Sequence, residues 1–269
     1  MKDLLVVDSA TQLDASARAA VVVCGSHGAL YPAWLAAHAR VRAVVLNDAG
    51  IGRHSAGIAG VQWLANFGIA ACAVDYRTAR IADGRHMLGA GVVTTVNDVA
   101  AVHGCLPGHT CRQVAACLLD NAVAPEDDEV PEIGETRLRI GNTGHREVWA
   151  LDSVSLARAD DRRAILLTGS HGGLLGGKAD DGMLAVDVFA AFFNDAGGGK
   201  DDAGYARLPV LDKRGIAAAT VSCNTARIGD GRSSYDTGVI SRVNAVAQRL
   251  DVKDGMSTRE AVARLVGLG

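Results

Sequence analysis

Histidine, aspartate and serine side chains, which can carry out proton transfer and nucleophilic attack, lie in two short motifs that each occur twice in this chain. GSHG stands at 25–28 and again at 169–172, and NDAG stands at 47–50 and again at 194–197. Histidine changes its protonation state near neutral pH, and a carboxylate can orient it for that task. The pattern therefore predicts acid–base chemistry, with the reacting groups supplied in two copies.

An eight-residue stretch containing two arginines indicates that the whole chain is duplicated. TARIADGR at 78–85 and TARIGDGR at 225–232 share seven of eight residues. Because each residue type has a frequency of roughly 5–10 per cent, such a match does not arise by chance. Shorter matches continue on both sides in the same order. We therefore predict two homologous repeats, at 1–120 and 147–269, joined by a polar linker at 121–146 that is rich in Glu, Asp and Pro.

The elements that position these motifs are predicted to be short buried strands alternating with helices. Continuous apolar runs are typical of strands buried on both faces. The predicted strands are 19–24, 41–46 and 69–74 in the first repeat and 164–168, 186–193 and 216–221 in the second. A helix is predicted around 92–102, because Val92, Val96 and Val99 recur at helical spacing.

Strands that alternate with helices imply right-handed crossovers and a mainly parallel sheet. The predicted fold class is therefore α/β, with two tandem homologous three-layer repeats, each with a mainly parallel sheet, packed as an intramolecular pseudo-dimer. All three motifs follow predicted strands, at the edge where open parallel sheets bind ligands. If the repeats pack about a pseudo-twofold axis, the two edges face one cleft and can supply different roles.

Two sets of candidate site residues follow from this arrangement. The predicted catalytic residues are His27 and His171 as general acid or base, Asp48 and Asp195 as orienting carboxylates, and Ser26 and Ser170 as nucleophiles. The predicted substrate-binding residues are Arg80, Arg227, Asn47, Asn194, Thr78, Thr225 and Lys200. A serine can act as nucleophile only if a histidine reaches it across the interface, and a water activated by histidine is the alternative. Which repeat is catalytic stays open.

Each motif also has a purely structural interpretation. The glycines of GSHG can make tight turns while its serine caps a helix and its histidine bonds to backbone. Asn and Asp are common in turns because their side chains bind nearby N–H groups. The arginine and aspartate of TARIxDGR can form a structural ion pair. The sequence alone does not decide between these interpretations and the functional ones.

We expect a cofactor-independent enzyme that acts on a small polar or anionic metabolite, with hydrolysis of an amide or cyclic amide as the favoured reaction. A lyase or isomerase using the same groups, or a non-catalytic metabolite-binding module, is the alternative. For cofactors the alternative is a divalent metal such as zinc shared by His27, Asp48, His171 and Asp195. The segment 172–178, GGLLGGK, resembles a phosphate loop, but Ala179 stands where a magnesium-binding Ser or Thr is needed.

Composition restricts the partners. The chain is 49% hydrophobic and carries a net charge of −3, with basic residues interspersed among acidic ones, so we expect no nucleic-acid or membrane partner. The apolar run at the N-terminus is too short for a signal peptide, and no later run is long enough to cross a bilayer. We therefore expect a soluble cytoplasmic protein with a small-molecule substrate, and its assembly as a homo-oligomer stays open.

Overall fold

The structure is a computed structural model, and it describes residues 4–125, 129–143, 146–178 and 184–268. Within these residues the chain forms an α/β fold with two mainly parallel sheets, of five and six strands, and helices packed on them. We refer to residues 4–125 as the first half, to 129–136 as the bridging segment, and to the described residues from 137 to 268 as the second half.

In the sheet of the first half, the strands lie side by side in the same order as they follow one another along the chain. Its strands are β1 (Leu4–Val7), β2 (Val21–His27), β3 (Ala43–Asn47), β4 (Ala70–Val74) and β5 (Val93–Val96). Its helices are α1 (Leu30–His38), α2 (Ala59–Trp63), α3 (Gly84–Ala90), α4 (Asp98–Val102) and α5 (Cys111–Asn121). Strands β1 to β4 are parallel, and β5 closes one edge as an antiparallel strand.

Both faces of the first sheet are buried, which explains why its strands read as continuous apolar runs. Val23 on one face packs in a cluster with Met87 of α3 and Leu118 of α5. Val22 on the other face packs in a cluster with Ala33 of α1 and the buried residues around α2. The small side chains of β4, AACAV, let the helices lie close to the sheet.

The second half repeats this course with one more strand. Its strands are β6 (Arg137–Thr143), β7 (Arg146–Leu151), β8 (Ile165–His171), β9 (Ala190–Asn194), β10 (Ala217–Val221) and β11 (Ile240–Val243). Its helices are α6 (Arg207–Lys213), α7 (Gly231–Thr237), α8 (Ala245–Arg249) and α9 (Thr258–Gly267). Strands β7 to β10 are parallel, and the edge strands β6 and β11 are antiparallel.

Three sequence predictions need correction. The helix predicted around 92–102 is strand β5 followed by the short helix α4. The β-branched run VTTV at 93–96 pairs with β4, and the Asn97 side chain then caps α4. The strand predicted at 186–193 begins only at Ala190. The segment predicted as a polar linker at 121–146 contains all of β6, which pairs with β7.

No helix in the described part of the chain is long and apolar enough to cross a membrane.

Candidate active site

The loops that carry the motifs of the first half contact the corresponding loops of the second half. The backbone N–H of Arg53 donates to the carbonyl oxygen of Cys223 at 2.7 Å, and the N–H of Lys200 donates to the carbonyl oxygen of Tyr76 at 2.8 Å. The two bonds are reciprocal, because Arg53 aligns with Lys200 and Tyr76 aligns with Cys223 in the two repeats. A small apolar cluster lies between the loops and consists of Ala29, Ala49, Ile81, Ala196, Ala203 and Ile228.

Two glycines allow this close approach. Gly50 and Gly197 end the two NDAG motifs, and both have a φ of +77°. A Cβ atom at Gly50 would lie 3.1 Å from the Cα atom of Gly197, and one at Gly197 would lie 2.6 Å from the ring of Tyr76. Backbone conformation and lack of space therefore both require glycine at these positions.

The asparagines of NDAG hold their own loops. The Oδ1 atoms of Asn47 and Asn194 each accept a hydrogen bond at 2.9 Å from the N–H two residues ahead. Their Nδ2 atoms donate to a backbone carbonyl of the TARI segment, at 3.4 and 3.2 Å respectively. Both side chains are fully buried and stabilise their own loops, and the predicted contact with substrate stays a prediction.

The aspartates of NDAG are engaged in the same way. Oδ1 of Asp48 accepts from the N–H of Tyr76 at 3.0 Å, and Oδ1 of Asp195 accepts from the N–H of Cys223 at 2.9 Å. Each Oδ1 also accepts from the glycine N–H two residues ahead. Burial raises the pKa of Asp48, and its hydrogen bonds oppose this effect. No described hydrogen bond joins either carboxylate to a histidine, so the predicted orienting role is not seen.

The hydroxyl groups of the motifs also bind backbone. Ser26 Oγ and Ser170 Oγ each accept a hydrogen bond at 2.9 Å, from the N–H of Ala10 and of Val154. Thr78 and Thr225 each donate to a carbonyl three residues earlier, at 2.8 and 2.9 Å, and accept an N–H at 3.0 Å. No described hydrogen bond joins a motif serine to a histidine, so the geometry gives no support to a serine nucleophile.

The four side chains considered as a shared zinc site do not form one ligand set. Among the residues that the structure describes, no group of three or more His, Cys, Asp and Glu side chains is arranged to hold a metal ion. Oδ1 of Asp48 and Oδ1 of Asp195 accept from backbone N–H groups, and Oδ2 of Asp48 accepts from the Thr94 hydroxyl at 3.0 Å. The hypothesis of zinc held by His27, Asp48, His171 and Asp195 therefore has no geometric support.

His27 and His171 do meet across the interface. Their ring centroids lie 6.2 Å apart with the rings nearly perpendicular, and the residues are 8% and 9% exposed. Nδ1 of His171 accepts from the N–H of Gly173 at 3.1 Å, whereas Nδ1 of His27 is buried without a hydrogen-bond partner in the described chain. Burial lowers the pKa of His27 to about 4. Burial, with the charges of Arg207 and His27, holds the pKa of His171 well below its usual range.

We expect the buried histidines to make the fold sensitive to acid. A histidine whose pKa is lowered in the folded state stabilises that state at pH values above its unfolded pKa of about 6.5. This contribution is lost as the pH falls toward the folded-state pKa, which is about 4 for His27. For His27 the difference is roughly 3 kcal/mol. In His27→Asn the fall in the free energy of unfolding between pH 7 and pH 4, measured by urea denaturation, should be smaller by most of this amount. His38→Asn, at an exposed histidine, should keep the full fall. An unchanged fall in His27→Asn would contradict the expectation.

A cavity of about 720 Å³ opens beside His27, and we call it the Arg227 cavity. The first half contributes His27 at the end of β2 and residues of the start of α1, and the second half contributes part of its TARIGDGR segment. The polar side chains that line it are His27, Tyr31, His54, Glu135, Thr136, Asp152, Arg227, Asp230 and Arg232. Leu30, Ile133, Leu138 and Ile228 supply apolar walls. The cavity is thus built by both halves and by the bridging segment.

Arg227 presents part of its guanidinium group to this cavity. Nε and Nη2 donate to Oδ2 of Asp230, at 3.1 and 2.6 Å. None of the described hydrogen bonds uses Nη1, and the side chain is 47% exposed. The group is therefore held in place on one side by its carboxylate and can donate to an anion on the other.

Glu135 enters the cavity from the bridging segment. Trp34 Nε1 of α1 donates to the carbonyl oxygen of Pro131 at 3.0 Å, and the N–H of Thr136 donates to Oδ2 of Asp152 at 2.7 Å, so the segment is fixed to both halves. Burial, assisted by the charge of Asp152, raises the pKa of Glu135 to about 7, although the side chains of Ser153 and Tyr31 act in the opposite direction. A carboxyl group with this pKa can exchange a proton at neutral pH.

The corresponding place in the other half is a cavity of about 910 Å³ that we call the Arg80 cavity, lined by residues that include Asp8, Arg80, Asp83, Arg85, His86 and Lys178. Arg80 here is fully occupied, because Nε and Nη2 donate to Asp83 and Nη1 donates to Asp201 of the second half at 3.0 Å. His54 aligns with Asp201 in the first repeat, so Arg227 lacks the second carboxylate. Lys200 lies 3.7 Å from Asp201 and does not line either cavity.

Sequence reasoning missed Glu135 and Tyr31. Glu135 lies in the acidic segment that was predicted to be an exposed linker, and no counterpart in the other repeat draws attention to it. The predicted residues that do line the Arg227 cavity are His27 and Arg227. No protein-family model, curated protein or solved structure matches this chain.

Proposed function

We propose that the chain consists of two tandem homologous α/β repeats packed as an intramolecular pseudo-dimer, with an active site in the Arg227 cavity. The reciprocal hydrogen bonds of Arg53 with Cys223 and of Lys200 with Tyr76 support this packing, since a twofold relation makes each contact occur twice. The different residues at 54 and 201 and the single bridging segment make the two cavities unequal. We therefore assign catalysis to one of them.

The proposed activity is cofactor-independent hydrolysis of an amide or cyclic amide in a small anionic metabolite. The observation that carries it is the convergence of three unlike groups in one cavity: Arg227 with an unused Nη1, the neutral His27, and Glu135 with a pKa of about 7. A cation fixes the anionic end of the substrate, and a carboxylate near its pKa transfers protons at the amide. The apolar walls fit the carbon skeleton between these ends.

In the proposed reaction Glu135 acts first as a base. Its carboxylate takes a proton from water as the water oxygen bonds to the amide carbon, and the carbonyl electrons move to oxygen. When the carbonyl re-forms, the C–N bond breaks and Glu135 returns the proton to the leaving nitrogen. The products are an amine and a carboxylic acid, which loses its proton to solvent at neutral pH; a cyclic amide gives one molecule that carries both groups. His27, neutral at pH 7, hydrogen-bonds to the substrate and does not take a second positive charge into the cavity.

A substrate panel tests this proposal. We would incubate the protein with small N-acyl amino acids, carboxylate-bearing lactams and hydantoins, and follow each compound by proton NMR. At least one class should be converted to amine and carboxylate, and chelator treatment should leave the rate unchanged. Binding of panel members without conversion would contradict the enzyme and favour a metabolite-binding module. Conversion by elimination or isomerisation would replace the hydrolase assignment.

A further inference from the structure

Arg207 is a buried cation outside the Arg227 cavity. It begins α6, and only 3% of the residue is exposed. Nε donates to the carbonyl oxygen of Gly173 at 2.9 Å, and the guanidinium carbon lies 5.1 Å from the centroid of the Phe193 ring. Nη1 is buried without any hydrogen-bond partner in the described chain. A guanidinium group in this position is both desolvated and incompletely bound.

No carboxylate compensates this charge in the part of the chain that the structure describes. The contrast is Arg137, another mostly buried arginine, whose Nη1 and Nη2 bind the two carboxylate oxygens of Asp161 at 2.9 and 2.6 Å. Buried charges are normally paired in this way, because an unpaired ion in the interior is strongly unfavourable. Burial accordingly lowers the pKa of Arg207 to about 10, a value that still leaves it charged at neutral pH.

The arginine is specific to the second half. Gly60 aligns with Arg207, and the two backbones make the same contact: Gly60 N–H donates to the Gly28 carbonyl and Arg207 N–H donates to the Gly172 carbonyl, both at 2.8 Å. A Cβ at Gly60 would lie 2.5 Å from the Cβ atom of Ala33 in α1. The first half therefore has a helix packed where the second half carries this side chain, so Arg207 is not a requirement of the shared fold.

The groups around Arg207 suit an anion. His171 and Arg207 both bind the backbone of Gly173, because Nδ1 of His171 accepts from its N–H at 3.1 Å and Nε of Arg207 donates to its carbonyl oxygen at 2.9 Å. Burial and the arginine charge lower the pKa of His171. The glycine-rich segment 172–178 follows β8 and touches the guanidinium group through Gly173. Glycine-rich turns after parallel strands bring backbone close to phosphate and carboxylate groups. This segment lacks the Ser or Thr that a nucleotide-hydrolysing phosphate loop requires, and the arginine supplies the positive charge instead.

We propose that Arg207, together with His171 and the Gly172–Lys178 segment, binds the oxyanion group of a second ligand, a phosphate or a carboxylate. Neither Arg207 nor His171 is among the residues that line the Arg227 cavity. The site is independent of the proposed hydrolase activity, because it depends on the unpaired charge of Arg207 and on no residue assigned to catalysis.

The test is anion-dependent thermal unfolding. We would measure Tm in sodium formate, sodium phosphate and sodium chloride at equal ionic strength and pH 7. At a hundredfold excess over Kd, formate or phosphate should raise Tm by roughly 5 to 10 °C relative to chloride. The formate and phosphate arms distinguish a planar carboxylate site from a tetrahedral phosphate site. Because Arg227 is itself proposed to bind a carboxylate, the comparison is made in an Arg227→Met background, where adding Arg207→Met should abolish the rise. In chloride, Arg207→Met alone should unfold at the wild-type temperature or above it, since it removes an uncompensated charge.

Three controls make the result decisive. Arg214→Met removes a partly exposed arginine just beyond α6 that pairs with Asp187, and it should keep the rise. Arg227→Met should also keep it, which separates this site from the Arg227 cavity. A wild-type crystal grown with sodium selenate should show anomalous density at the guanidinium group, a readout that does not depend on the folding of any variant. A rise that survives when Arg207→Met is added to Arg227→Met, or no anion-specific rise in the wild type, would overturn the proposal.

Discussion

Replacing Glu135 with glutamine is expected to lower kcat for the amide substrate by roughly 10²- to 10⁴-fold, the usual contribution of a positioned acid or base. Glutamine preserves the shape of the side chain but cannot accept a proton from water. KM should change little, because the anionic end of the substrate is bound by Arg227. Steady-state kinetics followed by NMR on a substrate found in the panel would measure both constants.

The pH dependence identifies the group. Since the pKa of Glu135 is about 7 and the base form is required, kcat/KM in the wild type should rise with pH and level off above 7. The raised pKa of Glu135 also stabilises the folded state at pH values below its unfolded pKa of about 4.5. This contribution is lost as the pH rises through 7. Glu135→Gln should remove both features. Glu132→Gln, at an exposed position in the same bridging segment, should retain both. Wild-type kcat in Glu135→Gln would rule out this base.

Replacing Arg227 with methionine is expected to weaken substrate binding by roughly 10- to 100-fold, since a hydrogen bond to a charged group contributes about 1.5–3 kcal/mol. Methionine keeps most of the apolar stem and removes the guanidinium group. The loss should appear mainly in KM, and it should be absent for substrate analogues in which the carboxylate is replaced by a neutral amide. Isothermal titration with product carboxylate provides a second readout.

The control for this prediction is Arg249→Met, which removes an exposed arginine from the last turn of α8. It should leave both KM and product affinity unchanged. Equal losses for charged and neutral analogues in Arg227→Met would mean that the substitution disturbs the cavity in general and that Arg227 does not recognise the anion.

The sequence allowed the parallel core and the meeting of the motifs at loops to be predicted. Strands β2, β3 and β4 are continuous apolar runs because both sheet faces are covered, and this pattern is legible without coordinates. The motifs recur because their side chains perform the same local task twice. Asn47 and Asn194 brace their own loops, and Gly50 and Gly197 let the backbones touch.

What could not be predicted depends on contacts between distant segments. Val92, Val96 and Val99 have helical spacing, but residues 93–96 form a strand because they pair with β4. The sequence NDAG is compatible both with a catalytic carboxylate and with a turn-stabilising one. Only the structure shows the hydrogen bond from the N–H of Tyr76 to Asp48, which supports the turn-stabilising role. The pKa of Glu135 is raised by burial and by the charge of Asp152, and the acidic composition of its own segment does not reveal these surroundings.

The most direct measurement is a crystal structure of the Glu135→Gln variant soaked with an amide that the wild-type protein hydrolyses. Substrate density should fill the space between the two halves, with its carboxylate on Nη1 of Arg227 and its amide carbon facing the side chain at position 135. Intact substrate bound at any other place, with the space beside Arg227 left to solvent, would contradict an active site shared by the repeats.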